Sequence, residues 1–101
     1  MIPGTVSKLS EQNISLATSI TVKSDIVRVT STATTTVVAT IIPSGGGFST
    51  VLFLVNDSGA SMTAVTTGNI YGTGTITVLD KRMAVLVFSK LLGKWLVAND
   101  T

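Results

Sequence analysis

The sequence predicts an all-β fold: a single small antiparallel β-sandwich or barrel of about six to eight short strands with an N-terminal arm. From residue 20 onward Val, Ile and Thr recur with a period near two, which is the spacing of a half-buried strand. Turn-forming residues interrupt this pattern roughly every eight to twelve positions. No segment shows the periodicity of an amphipathic helix.

The first part of the chain is predicted to be the arm, at residues 1–17. Pro3 and Gly4 lie near its start, and the segment has no sustained alternation of apolar and polar residues. The β domain is predicted at residues 18–101, which is enough chain for one core and one domain.

The β domain is predicted to begin with a hairpin. Residues 20–22 and 26–30 alternate, and Ser24-Asp25 between them indicates a bend or bulge. A polar connection then leads to a strand at residues 35–42. Pro43 ends this strand because proline cannot donate a hydrogen bond to a β-ladder.

The glycine-rich stretch PSGGGFST, residues 43–50, invites comparison with phosphate-binding loops. A Walker A loop needs a lysine after its last glycine, and a dinucleotide-binding loop needs a third glycine where this chain has Thr50. The stretch also leads into a strand and not into a helix N-terminus. We therefore predict an inter-strand loop that contacts a partner through Gly45, Gly46, Gly47 and Phe48.

The next strand, residues 50–55 (TVLFLV), is almost wholly apolar, as expected of a strand that is covered on both faces. Asn, Asp and Gly at residues 56–59 predict a reversal, because these residue types tolerate tight turns. The glycine cluster at residues 66–74 is predicted to form bulges and sharp bends. Tyr71 within it is a candidate partner-facing residue.

The chain is predicted to close with three strands. Alternation resumes at residues 75–79, and the charged turn that follows contains Lys81 and Arg82, which are candidate partner contacts. Residues 83–89 and 95–98 form the last two strands. Trp95 is expected in the core or in a subunit interface, because apolar residues follow it.

Several function classes are excluded by residue content. The chain has no His and no Cys, so it lacks Ser-His-Asp and Cys-His catalytic sets and the commonest zinc ligands. We predict no catalytic residue, no metal site, no cofactor and no small-molecule substrate. The carboxylates fall mostly in predicted turns, where a structural role is expected: Glu11, Asp25, Asp57, Asp80 and Asp100.

Charge and hydropathy limit the possible partners. The net charge of +2 comes from scattered residues, so no basic stripe for nucleic acid is visible. The longest apolar run, residues 83–88, is far shorter than the roughly twenty residues of a membrane-spanning helix. Charged residues make up 12% of the chain, about half of the typical share of roughly 25%. This deficit suggests a surface partly covered by copies of the chain or by a partner.

The order of these motifs resembles the small β-rich modules of tailed-bacteriophage virions. The matching features are SDIVRVT (24–30), IIP (41–43), the glycine loop closing on Phe48, TTGNI (66–70) and GKWL (93–96). The resemblance covers about residues 18–101, leaves the arm unmatched, and departs from the tail modules after Trp95, where no further aromatic follows. It implies a trimeric, non-enzymatic virion protein.

On this resemblance we expect a capsid decoration (cement) protein that binds the major capsid protein as a homotrimer and is located on the capsid surface. The N-terminus has no apolar segment of signal-peptide length, so synthesis is expected in the host cytoplasm. The initiator Met1 favours this function over the alternative, a tail-fibre, spike or head-fibre module that binds a host receptor. The shell-contact residues expected in the arm are Ile2, Pro3, Val6, Leu9 and Ile14.

Overall fold

The structure, a computed structural model, describes residues 11–32, 35–43 and 51–98. It confirms the all-β class, because all the regular secondary structure in these ranges consists of strands. The strands are β1 (Glu11–Ser15), β2 (Ser19–Val22), β3 (Ile26–Ser31), β4 (Val37–Val38), β5 (Thr40–Pro43), β6 (Val51–Asn56), β7 (Met62–Val65), β8 (Thr75–Val78), β9 (Arg82–Ser89) and β10 (Lys94–Val97).

These ten strands outnumber the expected six to eight: no strand is predicted at β7 from the sequence, and there are two further reasons. The first is that β1 lies in the predicted arm. The second is that the predicted strand at residues 35–42 is divided at Ala39, where the N–H groups of Ala39 and Thr40 both donate to the carbonyl of Thr18, at 2.8 and 3.0 Å. A shared acceptor of this kind interrupts the regular alternation of a ladder.

The strands form three sheets, and much of the pairing is parallel. The sheet orders are β1-β3-β6-β9-β10, β2-β5 and β4-β7-β8. Parallel pairs join β1 to β3, β3 to β6, β2 to β5 and β4 to β7. The strands from β1 to β7 therefore pair with one another only in parallel. Each antiparallel pair includes β8, β9 or β10.

The predicted antiparallel sheet and the predicted hairpin at the start of the β domain are therefore wrong. β3 pairs with β1 and β6, whereas β4 and β5 lie in two other sheets. The two-residue alternation that identified the strands is the same in parallel and antiparallel half-buried sheets, so it carries no information on direction.

Part of the predicted arm belongs to the folded unit. β1 runs in register beside β3, and Leu16, which follows it, is 1% exposed. Leu16 is fixed by its N–H group, which donates to the carbonyl of Ser31 at 2.8 Å. Residues 11–17 thus belong to the folded unit, and residues 1–10 lie outside the described ranges.

One core is enclosed by the three sheets. Inward-facing residues of every sheet contribute, including Val27, Leu54, Ile41 and Val38. Trp95 on β10 is fully buried there, which decides between the core and the interface that the sequence left open. Its ring meets that of Phe88 edge to face, with centroids 5.2 Å apart, and its Nε1 donates to the carbonyl of Ile41 at 3.0 Å.

The segment between β7 and β8 joins β5 to β10 across the core. Gly68 lies against β5 so closely that a Cβ there would be 2.2 Å from the carbonyl oxygen of Ala39. The N–H of Asn69 donates to that same carbonyl at 3.2 Å, and its own carbonyl accepts from Trp95 at 2.8 Å. The glycine cluster thus includes a close backbone approach, and Gly72 and Gly74 adopt positive φ angles of 133° and 81°.

Candidate interaction surface

The most distinctive surface is the side of the five-stranded sheet that points away from the core. On β6 and β9 the side chains alternate strictly, with one set in the core and the other set outward. The outward set is apolar, and the residues that form it, called the outer apolar face from here on, are Ile26, Val51, Phe53, Val55, Met83, Val85, Val87 and Leu96.

The strand register aligns these side chains in rows. Ile26 pairs with Phe53, and Phe53 pairs with Val85, so the three form one row across β3, β6 and β9. The neighbouring rows are Val55 with Met83, and Val51 with Val87 and Leu96. Directly paired residues on one face of a sheet contact each other, so the rows form one continuous apolar surface.

This surface is partly solvent-exposed in the single chain. Met83 is 41% exposed, and the other members are half-buried. None of them belongs to the buried core cluster or to the partly buried residues that pack against it. A contiguous apolar surface that is only half-buried is typical of a binding surface.

Charged residues lie around the rim of the outer apolar face. Glu11 on β1 pairs with Ile26, and Lys94 on β10 pairs with Ser89, so both point to the same side of the sheet as the apolar rows. They stand at opposite edges, since β1 and β10 are the two outer strands. Arg28 lies at the end of the face nearest the β6–β7 turn.

An ion cluster centred on Asp57 holds three segments together at this end. The Asp57 carboxylate accepts hydrogen bonds from Arg28 Nε, at 2.9 Å, from the terminal guanidinium nitrogen of Arg28, and from Lys81 Nζ, at 2.5 Å. Lys81 Nζ also lies 3.6 Å from Asp80 Oδ1. The cluster joins β3, the β6–β7 turn and the β8–β9 turn.

The ion pairs shift the pKa values of this cluster so that the charged forms are favoured. The hydrogen bond from Lys81, followed by that from Arg28, lowers the pKa of Asp57 below its ordinary value of 3.8. The same bond, seen from the other partner, raises the pKa of Lys81 above 10.5. Lys81 is exposed and Asp57 is half-buried, so solvent reaches the cluster, and it is not a buried acid or base awaiting a substrate.

The buried amide of Asn56 organises the adjacent turn. Its Nδ2 donates to the carbonyls of Ala60 and Val78 at 2.7 and 2.8 Å. Its Oδ1 accepts from the hydroxyl of Ser58 at 2.7 Å, and its backbone carbonyl accepts from the N–H of Lys81 at 2.7 Å. The sequence indicated a turn here, but it gave no signal that the asparagine is fully buried.

Other large apolar side chains are exposed outside the outer apolar face: Ile42, Tyr71, Leu79, Leu91 and Leu92. Tyr71 is 52% exposed. Its backbone N–H donates to the carbonyl of Trp95 at 2.8 Å, which fixes the backbone from which its side chain projects. Leu91 and Leu92 lie in the β9–β10 turn, where Leu91 is 97% exposed. Isolated exposed leucines are common on protein surfaces, so they are weaker candidates than the apolar rows.

The structure describes some of the residues that the sequence singled out. Tyr71, Lys81 and Arg82 are exposed, as a partner contact requires, although Lys81 is already bonded to Asp57. Ile14 packs against the core from β1, which argues against the shell contact predicted for it. The remaining candidates lie outside the described residues: Ile2, Pro3, Val6, Leu9, Gly45, Gly46, Gly47 and Phe48.

Pockets, metal-binding clusters and membrane-spanning helices are all absent from the described ranges. Across residues 11–32, 35–43 and 51–98, no pocket is found and no group of three or more acidic, His or Cys side chains is arranged to hold a metal ion. The same ranges contain no helix able to span a bilayer.

The outer apolar face was only partly anticipated from sequence. The run at residues 50–55 predicted cover on both sides of one strand, and the adjacent run at residues 83–88 carries the same signal. That these runs lie side by side depends on pairing between distant residues.

Comparison of the chain with protein-family models, with curated proteins and with solved structures gives no match.

Proposed function

We propose that this chain is a structural virion protein: a capsid decoration protein that acts as a homotrimer on the surface of an assembled bacteriophage shell. The observation that carries the proposal is the outer apolar face, supported by a charged content of 12%. Together they favour a protein whose working surface is covered by other protein. The virion assignment itself comes from the resemblance of the sequence motifs.

A decoration protein acts by mass action. A partner that binds the assembled shell but not its free subunits shifts the assembly equilibrium toward the shell. Several weak attachment points on one oligomer combine into tight binding, because attachment of the first point raises the effective concentration of the others. This mechanism needs no catalytic group.

Attachment to the shell is proposed through the N-terminal residues Ile2, Pro3, Val6 and Leu9. The folded unit begins at β1 or before it, so this segment directly precedes the edge strand of the five-stranded sheet. The shell partner in this proposal is the major capsid protein.

The test is the solution mass of the purified protein by light scattering, followed by co-sedimentation with undecorated phage capsids. We expect a trimer that pellets with the capsids and raises their thermal stability. Decorated capsids, whose sites are already filled, provide the control and should not bind more protein. A protein that stays in the supernatant in both cases would contradict shell binding.

The alternative is a fibre or spike module that binds a host-surface receptor. The exposed ring of Tyr71 favours it, because an amphipathic aromatic side chain offers an apolar surface and a hydroxyl group to a glycan. This function predicts glycan binding that Tyr71→Ala abolishes, together with no binding to capsids.

A further inference from the structure

The stack of parallel strands ends at β1 and β2. β1 is the first strand of the five-stranded sheet and β2 is the first strand of the two-stranded sheet. In the part of the chain that the structure describes, each of them has a neighbouring strand on one side only. An open strand edge is a template for pairing with another chain, and natural proteins block such edges. How this end is closed therefore bears on how copies of the chain can associate.

The hydrogen bonds of β2 identify its open edge. The carbonyl of Thr18, which precedes β2, points toward β5, because it accepts from the N–H groups of Ala39 and Thr40. Along a strand, the backbone groups of successive residues point to opposite edges. The carbonyl of Thr21 and the N–H of Lys23 therefore point away from β5, to the open edge.

The side-chain amide of Gln12 occupies this edge. Its Nε2 donates to the carbonyl of Thr21 at 3.1 Å, and its Oε1 accepts from the N–H of Lys23 at 2.8 Å. These two backbone groups flank Val22, and a single residue of a parallel strand would bond the same pair through its own N–H and C=O. The amide thus fills the position that a residue of an added strand would need.

Gln12 also lies in a row of core residues. The strand register pairs Gln12 with Val27, Val27 with Leu54, and Leu54 with Ala84. The last three side chains are buried in the core, whereas Gln12 is half-buried at the open end of the row. Proteins built by stacking units along one direction need a polar outer face on their terminal units to stay soluble. Gln12 supplies a polar group at this end, where a further apolar residue would extend the core to the surface.

The other outer strand of the two-stranded sheet, β5, is closed in the same way. The amide of Asn69 accepts from the N–H of Ile41 at 2.8 Å and donates to its carbonyl at 2.7 Å. One amide side chain from outside the sheet thus covers part of each of its edges. The arrangement at Gln12 is therefore repeated on the other edge, which favours a role in edge protection.

We infer that Gln12 blocks the open edge of β2 against the addition of a β-strand from a second copy of this chain. In the purified protein only a second copy can supply a strand, and its β1 has an open edge of its own within the described ranges. The inference does not rest on the proposed function. It concerns an edge that is closed to association, and it holds for a monomer or for an oligomer that forms through other surfaces.

The first test removes the amide and measures association by light scattering over a dilution series. Gln12→Ala leaves the carbonyl of Thr21 and the N–H of Lys23 without their partner at the edge. We expect self-association beyond the wild-type state to become about tenfold tighter or more. Gln12→Asn, whose amide is one methylene shorter, should give the same gain while a polar side chain remains at this position. Asn13→Ala, a change at the exposed neighbouring position of β1, is the matched control and should associate like the wild type.

A further variant separates edge protection from stability. In Gln12→Glu the carboxylate places an acceptor oxygen against the carbonyl of Thr21, so the melting temperature should fall by about 4–8 °C, as in Gln12→Ala. An inward-pointing charge at a strand edge opposes strand addition, so Gln12→Glu should not gain association. Amide hydrogen exchange gives an independent readout, because the N–H of Lys23 should exchange at least about tenfold faster in Gln12→Ala than in the wild type.

Each outcome decides for or against the inference. Folded Gln12→Ala and Gln12→Asn proteins that associate like the wild type would overturn it. Equal gains in association in Gln12→Ala and Gln12→Glu would also overturn it, because lost stability alone would then account for the association. Unchanged exchange at Lys23 would show that the amide does not hold this edge. Gained association in Gln12→Ala and Gln12→Asn but not in Gln12→Glu, with faster exchange at Lys23, would establish the block.

Discussion

The side-chain amide of Asn69 takes the place of a neighbouring strand beside Ile41. Its Oδ1 accepts from the N–H of Ile41 at 2.8 Å, and its Nδ2 donates to the carbonyl of Ile41 at 2.7 Å. The same carbonyl also accepts from Trp95 Nε1 at 3.0 Å. One side chain thus satisfies both backbone groups of a buried residue and joins β5 to the segment that contacts β10.

Replacing Asn69 by Ala should destabilise the protein by about 2–4 kcal/mol, because two hydrogen bonds are lost and the buried N–H of Ile41 is left without its acceptor. Chemical denaturation measures this loss. Asn69→Asp should not recover it, since the carboxylate can accept from the N–H but places a second acceptor oxygen against the carbonyl of Ile41. The exposed Asn13 provides the control, and Asn13→Ala should change stability little.

Gly68→Ala should cost at least about 2 kcal/mol, because the new methyl group would meet the carbonyl oxygen of Ala39 and the neighbouring backbone would have to move. Gly93→Asn is the matched control. Gly93 has a φ of 68° and open space around it, and Asn tolerates this left-handed conformation. Equal stability of the two variants in thermal unfolding would show that the close approach at Gly68 is not required.

Stability should fall on acidification through the titration of Asp57. Its pKa is lowered in the folded state, so the unfolded chain takes up a proton at higher pH and the folded state loses its advantage as the pH drops below about 5. Asp57→Asn should flatten this part of the pH profile of the melting temperature. An unchanged profile in Asp57→Asn would locate the acid sensitivity elsewhere.

At the alkaline end, the pKa of Lys81 is raised in the folded state, so we expect a loss of stability as the pH rises through the pKa of the folded state.

Two N-terminal truncations should separate attachment from folding. Removal of residues 1–10 should leave the β domain folded and oligomeric while abolishing co-sedimentation with capsids. Removal of residues 1–17 should also unfold the domain or destabilise it strongly, because it deletes β1 and the buried Leu16. Capsid binding that survives the shorter truncation would contradict the proposed attachment segment.

The sequence predicted the strands better than it predicted their partners. The apolar run in β6 and the terminal position of Trp95 were sufficient to indicate burial, because burial follows from side-chain type. The direction of pairing was not accessible, since the alternation in β3 is the same beside a parallel or an antiparallel neighbour. The alternation in β1 is carried by few apolar residues, which is why it resembled an arm.

The candidate surface was predictable only in part for the same reason. Asn56 and Asn69 have the composition of turn residues, but their amides bond to backbone groups up to 28 residues away. Val55 and Met83 lie in different apolar runs, and only the β6–β9 register shows that they share one face. Each of these contacts depends on long-range pairing, which a local pattern does not encode.

The position of β10 governs how late the molecule can complete its folding. Trp95 donates to Ile41, 54 residues earlier in the chain, and its backbone holds Asn69 and Tyr71 in place. A nascent chain emerging from the ribosome therefore cannot close its core until β10 has left the ribosome. With so many contacts between distant segments, folding is expected to be slow, and the apolar rows of β6 and β9 remain open to premature association during that interval.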